Sequence, residues 1–131
     1  MKKDIQIPEV KDVYIAAVQE PHSEFKILDW NIYLINNQPE PLEMVIVLSK
    51  GFINDKTTAQ TRHQIKVLPA KSFAKIEWLQ DDLLSINNSY SVSFFKNDTM
   101  YHRDFLLKAN AINSEAFGSI PVMSLLGVMA E

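Results

Sequence analysis

The side chains that could bind a metal or transfer a proton are few and widely spaced along this chain. It has three histidines, His22, His63 and His102, and no two of them stand two or four residues apart. A zinc or iron site needs two or three such side chains converging with a carboxylate. We therefore expect no metal site and no bound cofactor, and we interpret His63 as a boundary histidine satisfied by a neighbour.

His102 is the residue that could serve as a general base, since it stands beside Arg103 and Asp104 in a late run typical of a strand. Pairing with the preceding strand explains these residues without a catalytic role. The alternative is a small enzyme or ligand-binding protein that uses a pocket near His63, His102 and Asp104.

The sequence contains none of the other common catalytic motifs. The chain has no cysteine, which removes thiol nucleophiles, disulfides and zinc-thiolate sites. Gly51, Gly118 and Gly127 are isolated from one another, so neither a phosphate-binding loop nor a dinucleotide fingerprint can be written. Helix capping and a solvated turn explain the acidic pair Asp81 and Asp82. The sequence therefore predicts a protein without enzymatic activity.

Charge and composition argue against a nucleic-acid partner. The 131 residues are 47% hydrophobic, which is typical of one globular domain. Thirteen Lys plus Arg against sixteen Asp plus Glu give a net charge of −3, without the basic excess that binds polyanions. Single-stranded nucleic-acid binding is kept only as a further alternative, for which the candidate residues are Phe94, Phe95, Lys96, Tyr101 and Arg103.

Short β-strands must position these side chains. The dominant hydrophobic period is two, and polar turn clusters separate the runs. The third run is apolar at nearly every position, which favours a central strand. Asn97-Asp98-Thr99 favours a tight hairpin. The seven predicted strands cover 13–18, 27–35, 42–48, 61–67, 72–79, 90–96 and 101–108.

Alternation along these strands also predicts which side chains are buried. In the run 72–79, for example, every second residue including Trp78 is expected to face the core. The predicted buried set is Trp30, Ile32, Leu34, Met44, Ile46, Ile65, Val67, Ile76, Trp78, Val92, Phe94 and Phe105. The residues predicted to face water are Arg62, Lys66, Lys75 and Glu77.

The strand pattern predicts an all-β fold. Seven short strands with regular turn signals favour a seven-stranded immunoglobulin-like antiparallel β-sandwich, with a small closed barrel as the competing architecture. A single helical turn within 80–86, capped by Asp81 or Asp82, is expected before the sixth strand. Tyr90 would then resemble the tyrosine that ties such a corner to backbone.

The last part of the chain has few charged residues and a dense apolar run. We therefore divide the chain into a β-sandwich domain, 1–109, and a C-terminal segment, 110–131. Asn113 or Ser114 could cap a short helix that ends at Gly118. The segment is expected to pack on its own domain or on a partner subunit, most simply in a two-fold dimer. Its candidate interface residues are Ile120, Val122, Met123, Leu125, Leu126, Val128 and Met129.

No export or membrane signal is recognised. Acidic residues and Pro8 follow Lys2 and Lys3 where a secretory signal would be apolar. The longest uncharged apolar stretch, 120–130, has eleven residues, against the roughly 20 needed to cross a bilayer. We expect a cytoplasmic protein without a membrane partner.

Several runs resemble a family of short uncharacterised bacterial proteins, some of which carry the name phenylalanyl-tRNA synthetase α subunit. The runs are DWNIYLINN at 29–37, LEMV at 42–45, SKG at 49–51, LPAKS at 68–72 and LQDDLL at 79–84. The synthetase name would imply arginine-bearing motifs on a large antiparallel sheet, and neither Arg62 nor Arg103 stands in such a motif. We interpret the name as a mislabelling, so the resemblance implies a small stand-alone domain and carries over no catalytic residues.

Taken together, the sequence predicts a non-catalytic protein-interaction or structural module that self-associates.

Overall fold

A computed structural model describes residues 8–22 and 24–131. Within them the chain is all-β, with ten strands and two single-turn 3-10 helices. The strands are β1 (Val13–Pro21), β2 (Leu28–Asn36), β3 (Leu42–Ile53), β4 (Lys56–Thr57), β5 (Thr61–Leu68), β6 (Ser72–Leu79), β7 (Asn87–Lys96), β8 (Thr99–Leu107), β9 (Gly118–Ser119) and β10 (Leu126–Met129).

All seven predicted strands are present, as β1, β2, β3, β5, β6, β7 and β8. The predicted number of seven is too low, however, because β4, β9 and β10 are additional. β4 and β9 have only two residues each, and β10 has four residues that include a glycine. Such short pieces carry no readable alternation, and only their partners in a sheet define them as strands.

The strands form two antiparallel sheets that pack face to face. Sheet A has the order β6-β2-β1-β10-β9, and sheet B has the order β4-β3-β7-β8 with β5 also paired to β3. β3 is therefore a central strand, as its apolar run predicted. One hydrophobic cluster lies between the sheets, with Ile32 and Leu34 from sheet A and Val47, Phe94 and Phe105 from sheet B.

The hairpin between β7 and β8 is confirmed. Lys96 pairs with Thr99, so only Asn97 and Asp98 form the loop. Both have positive φ angles, 48° and 64°. A two-residue turn with both φ angles positive matches the twist of the flanking strands, and Asn and Asp tolerate that conformation better than most residues.

A β-bulge in β6 reverses the predicted orientation of two side chains. Tyr33 of β2 pairs with Lys75 and Ile32 pairs with Glu77, so Ile76 is an extra residue in β6. Because one inserted residue shifts the alternation, Glu77 faces the core and Trp78 faces outward with 52% of its surface exposed. The predictions of a buried Trp78 and a solvent-facing Glu77 are therefore wrong.

A second irregularity affects β3 near Met44. The pairing of β3 with β7 shifts between Glu43 and Ile46, and Met44 has a positive φ of 51°. Met44 is 67% exposed and Val67 is 47% exposed, so both predictions of burial are wrong. Ile46 and Ile65 are half-buried. The other predicted core residues are buried, and Arg62, Lys66 and Lys75 are exposed as predicted.

The two predicted helical turns are each a single 3-10 turn. The first, Asp81–Leu83, has Gln80 at its N-cap with no side-chain cap, so neither Asp81 nor Asp82 has the predicted role. The second, Ser114–Ala116, has its N-cap at Asn113, whose side chain accepts from the backbone N–H of Glu115. Capping by Asn113 was one of the two predicted possibilities.

The C-terminal segment pairs with strands of both sheets of its own chain. β10 pairs with β1, and Glu131 exchanges two backbone hydrogen bonds with Leu106 of β8, of 2.9 and 3.0 Å. The chain end therefore joins an inner strand of sheet A to an edge strand of sheet B. Ile120 and Met123 pack on the outer face of sheet A, where they form a second small hydrophobic cluster with Ala16, Val18 and Ile35.

Candidate functional site

Glu77 lies at the centre of a polar cluster between the two sheets. Its Oε1 accepts hydrogen bonds from the Ser49 hydroxyl at 2.8 Å and lies 2.9 Å from Nε2 of His63. Its Oε2 accepts from the Tyr90 hydroxyl at 3.1 Å. Glu77 belongs to sheet A, whereas β3, β5 and β7, which carry its three partners, belong to sheet B. One carboxylate thus ties the sheets together at their β5–β6 side.

Two members of this cluster are almost completely buried. Ser49 is 4% and Tyr90 1% exposed, so both hydroxyls depend on Glu77 for a partner. Burial, together with the negative charge of Glu77, raises the pKa of Tyr90 well above its usual range. Tyr90 therefore stays protonated and keeps donating its hydrogen bond.

The sequence indicated only half of this cluster. His63 has a neighbouring partner, as predicted, but that partner is the glutamate expected to face water. Tyr90 binds the Glu77 carboxylate, so the predicted bond to a corner backbone is wrong. The available signal was that Ser49, His63 and Tyr90 all stand among inward-facing residues and together require an inward acceptor.

A second cluster lies on the outer face of sheet B, around His102. Ser93 and His102 are paired across β7 and β8, and the Ser93 hydroxyl lies 2.8 Å from Nδ1 of His102. Nε2 of the same ring lies 3.0 Å from Asp104. A serine, an imidazole and a carboxylate in this order are the groups that nucleophilic hydrolases use.

The surroundings of Ser93 differ from those of an acyl-transfer site in two respects. β7 is paired on one side with β3 and on the other with β8, so its backbone N–H groups are committed to the two ladders. Acyl transfer needs free donors that stabilise an oxyanion beside the nucleophile. Asp104 has a side chain that is 76% exposed, which weakens its electrostatic effect on the imidazole.

The structure does not bring the three suggested pocket residues together. His102 and Asp104 are neighbours, but β3 and β7 separate their strand from β5, which carries His63. The faces also differ, since His63 turns inward to Glu77 while His102 lies on the outer face. His63 and His102 therefore belong to two separate clusters.

The seven candidate interface residues divide into two groups. Ile120, Met123 and Val128 are buried within the chain itself, and Met129 is half-buried. The exposed fractions of the other three are 37% for Val122, 44% for Leu125 and 56% for Leu126.

A strained turn presents one of the exposed three. Met123 N–H donates to the Pro121 carbonyl at 2.7 Å, which closes a γ-turn around Val122. Val122 has a φ of 70°, a region in which a β-branched residue is an outlier.

The aromatic residues considered for base stacking are largely engaged with one another. Phe94 is fully buried and stacks on Tyr101 with ring centroids 5.3 Å apart. Lys96 lies 4.9 Å above the Tyr101 ring, and Arg103 lies 4.6 Å above the ring of Phe105. Phe95, on the opposite face from Phe94, is half-buried.

Comparison with known proteins leaves the family open. No significant match was found among protein-family models, curated proteins or solved structures. The family resemblance of the sequence therefore stays a prediction. Within residues 8–22 and 24–131, no helix has the length and apolar character needed to cross a membrane. In the same residues, no three acidic or histidine side chains form a group that could hold a metal ion.

Proposed function

We propose that this protein is a non-catalytic interaction module that self-associates and has an immunoglobulin-like sandwich fold. Strand order supports the fold assignment. An immunoglobulin sandwich packs a sheet holding its first, second and fifth strands against one holding its third, sixth and seventh. Among the seven long strands, β1, β2 and β6 share sheet A, whereas β3, β7 and β8 share sheet B. The fourth long strand, β5, lies beside β3, which departs from the constant-type immunoglobulin sandwich, where the fourth strand belongs to the first sheet.

The observation that supports self-association is the solvent exposure of three apolar side chains, those of Val122, Leu125 and Leu126. A chain that only needed to cover sheet A could do so with Ile120 and Met123 and leave polar residues outside. Instead the segment keeps three exposed apolar side chains, one of them on a residue in a sterically unfavourable backbone conformation. Strain of this kind costs on the order of 1 to 3 kcal/mol and often marks functional surfaces.

Sedimentation of the full chain tests this proposal. At tens of micromolar we expect a dimer, and we expect Val122→Asp and Leu125→Asp each to give a folded monomer, since an unpaired charge is costly in an apolar contact. Met100→Asp is the matched control, because Met100 is also an exposed apolar residue, at 43%, but lies on β8. A monomeric full chain, or a dimer that resists both substitutions, would contradict the proposal.

Truncation before β10 is a poor substitute for these point variants. It would remove the strand that pairs with β1 and the Glu131 contact with Leu106. Loss of association would then follow from damage to the fold itself.

A second candidate function is hydrolysis at Ser93, which the hydrogen-bonded order Ser93, His102, Asp104 favours. A fluorophosphonate probe that labels the wild-type chain at Ser93, and fails to label His102→Ala, would support it. Absence of Ser93 labelling in the folded chain would rule it out.

A further inference from the structure

A groove on the outer face of sheet A is built from three neighbouring strands. It has a volume of about 360 Å3 and is lined by Glu20 of β1, Asn31 and Tyr33 of β2, and Lys75 and Trp78 of β6. Its volume lies within the range of small-ligand pockets. The groove depends on the bulge at Ile76, because that extra residue turns Trp78 outward beside its pairing partner Asn31.

Trp78 supplies an apolar wall to an otherwise polar groove. With 52% of its surface exposed, the indole presents much of its area to solvent, although burial of a large aromatic residue is strongly favourable. The negative face of an aromatic ring attracts groups with positively polarised C–H bonds. A ligand with one apolar face would therefore complete this wall.

Asn31 supplies an unsatisfied polar group. It is only 6% exposed, and its Nδ2 donates to Oε1 of Glu20 at 2.9 Å. Its Oδ1 is buried without a hydrogen-bond partner among the described residues. A buried acceptor left unpaired is costly. A ligand hydroxyl is the donor that the groove could bring to this atom.

Glu20 and Tyr33 are held in place beside Asn31. The Tyr33 hydroxyl donates to Oε1 of Glu20 at 2.7 Å. Oε1 therefore accepts the hydrogen bonds of both Asn31 and Tyr33, and Oε2 is left as a further acceptor. Burial, reinforced by the hydrogen bond to Glu20, raises the pKa of Tyr33 to about 12. The phenol is therefore neutral at physiological pH.

The mixture of charges selects the class of ligand. Glu20 and Asp29 carry negative charge, and Lys75, across from Tyr33, carries positive charge. His22 also lines the groove, with its Nε2 3.8 Å from Oδ2 of Asp29. The groove therefore offers both acceptors, the carboxylates of Glu20 and Asp29, and a donor, the Lys75 ammonium group. A neutral ligand rich in hydroxyl groups matches this arrangement, because each hydroxyl both donates and accepts.

We propose that this groove binds one ring of a neutral carbohydrate, stacked on the Trp78 indole and hydrogen-bonded to Glu20, Asn31 and Lys75. The apolar face of the sugar ring covers the exposed indole, while its hydroxyls reach the carboxylate, the unpaired amide oxygen and the ammonium group. None of the three exposed residues Val122, Leu125 and Leu126 lines the groove.

Nitrogen-15 NMR of the full chain tests the proposal with defined probes. The oligosaccharides are cellotetraose, maltotetraose, mannotetraose and N-acetylchitotetraose, with acetylcholine and sulfate as charged probes. We expect at least one oligosaccharide to shift the indole signal of Trp78 and the side-chain amide signal of Asn31. The indole signal of Trp30, which is 7% exposed, serves as an internal reference that should not move.

Two variants and a control sharpen this test. Trp78→Ala should weaken binding about tenfold, which corresponds to about 1.4 kcal/mol, and Met100→Ala should leave it unchanged. Trp78→Phe keeps an aromatic face and should retain measurable binding, which separates loss of stacking from loss of fold. The proposal is overturned if none of the four oligosaccharides moves either signal, if Trp78→Ala binds normally, or if only acetylcholine or sulfate produces the shifts.

Discussion

Removal of the Glu77 carboxylate should loosen the contact between the two sheets. Glu77→Ala takes away the acceptor shared by the hydroxyls of Ser49 and Tyr90 and by the His63 ring. The His63 side chain is 22% exposed and can turn to water, but the two hydroxyls are almost completely buried. The variant therefore leaves two buried donors without a partner.

The expected magnitude follows from those two donors. Each buried group left unsatisfied costs about 1 to 3 kcal/mol, so Glu77→Ala should lower the free energy of unfolding by about 2 to 6 kcal/mol. That is a large share of the roughly 5 to 15 kcal/mol typical of a domain. Glu77→Gln keeps one acceptor oxygen and should cost less, about 1 to 2 kcal/mol, since a neutral acceptor binds less strongly than a charged one.

Urea denaturation followed by tryptophan fluorescence measures this change. The dependence of the unfolding free energy on urea should keep its slope while the midpoint falls, because the same surface is exposed on unfolding. Glu43→Ala is the matched control, since Glu43 is an exposed glutamate on β3, and it should change the free energy by no more than about 0.5 kcal/mol.

A double-mutant cycle identifies the interaction responsible. Glu77→Gln and Tyr90→Phe should show a coupling of about 0.5 to 3 kcal/mol, because the two groups share one hydrogen bond. If Glu77→Ala were as mild as Glu43→Ala, or if the cycle gave additive effects, the reasoning that Glu77 ties the sheets would be refuted.

Three further predictions concern the chain end and the tyrosines. A Cβ at Gly127 would lie 2.5 Å from a backbone oxygen of β1, whereas one at Gly118 would meet nothing within 4 Å; Gly127→Ala should therefore lower the urea midpoint and Gly118→Ala should leave it nearly unchanged. Val122→Asn should raise monomer stability by on the order of 1 kcal/mol, since Asn tolerates positive φ, while weakening the dimer; equal effects of one sign on both would contradict the strain argument. Burial raises the pKa of Tyr90, and of Tyr33 to about 12, above the unfolded value of about 10. Their contribution to stability should thus be complete below pH 10 and be lost as pH rises towards 12 and beyond, a decline that Tyr90→Phe should reduce. Phenolate absorbance that develops fully near pH 10 in the folded chain would contradict this last prediction.

Local chemistry determined most of the strands of this protein. The long alternating runs and the Asn97-Asp98 turn depend on interactions within a few residues of sequence, so the sequence was sufficient to predict them. For the short helix it offered Asn113 or Ser114 as the cap, of which Asn113 has that role. The unbroken apolar run of β3 likewise predicted a strand buried within a sheet.

Pairing between distant strands decided the sites. The pairing register shifts at Ile76 of β6 and near Met44 of β3, and one extra residue in a strand reverses the faces of the side chains that follow it. That reversal turned Glu77 inward to partners on three other strands and turned Trp78 outward into the groove. The alternation within one strand does not depend on how that strand pairs with its neighbour. Only the tertiary structure could therefore show which way Glu77 and Trp78 face.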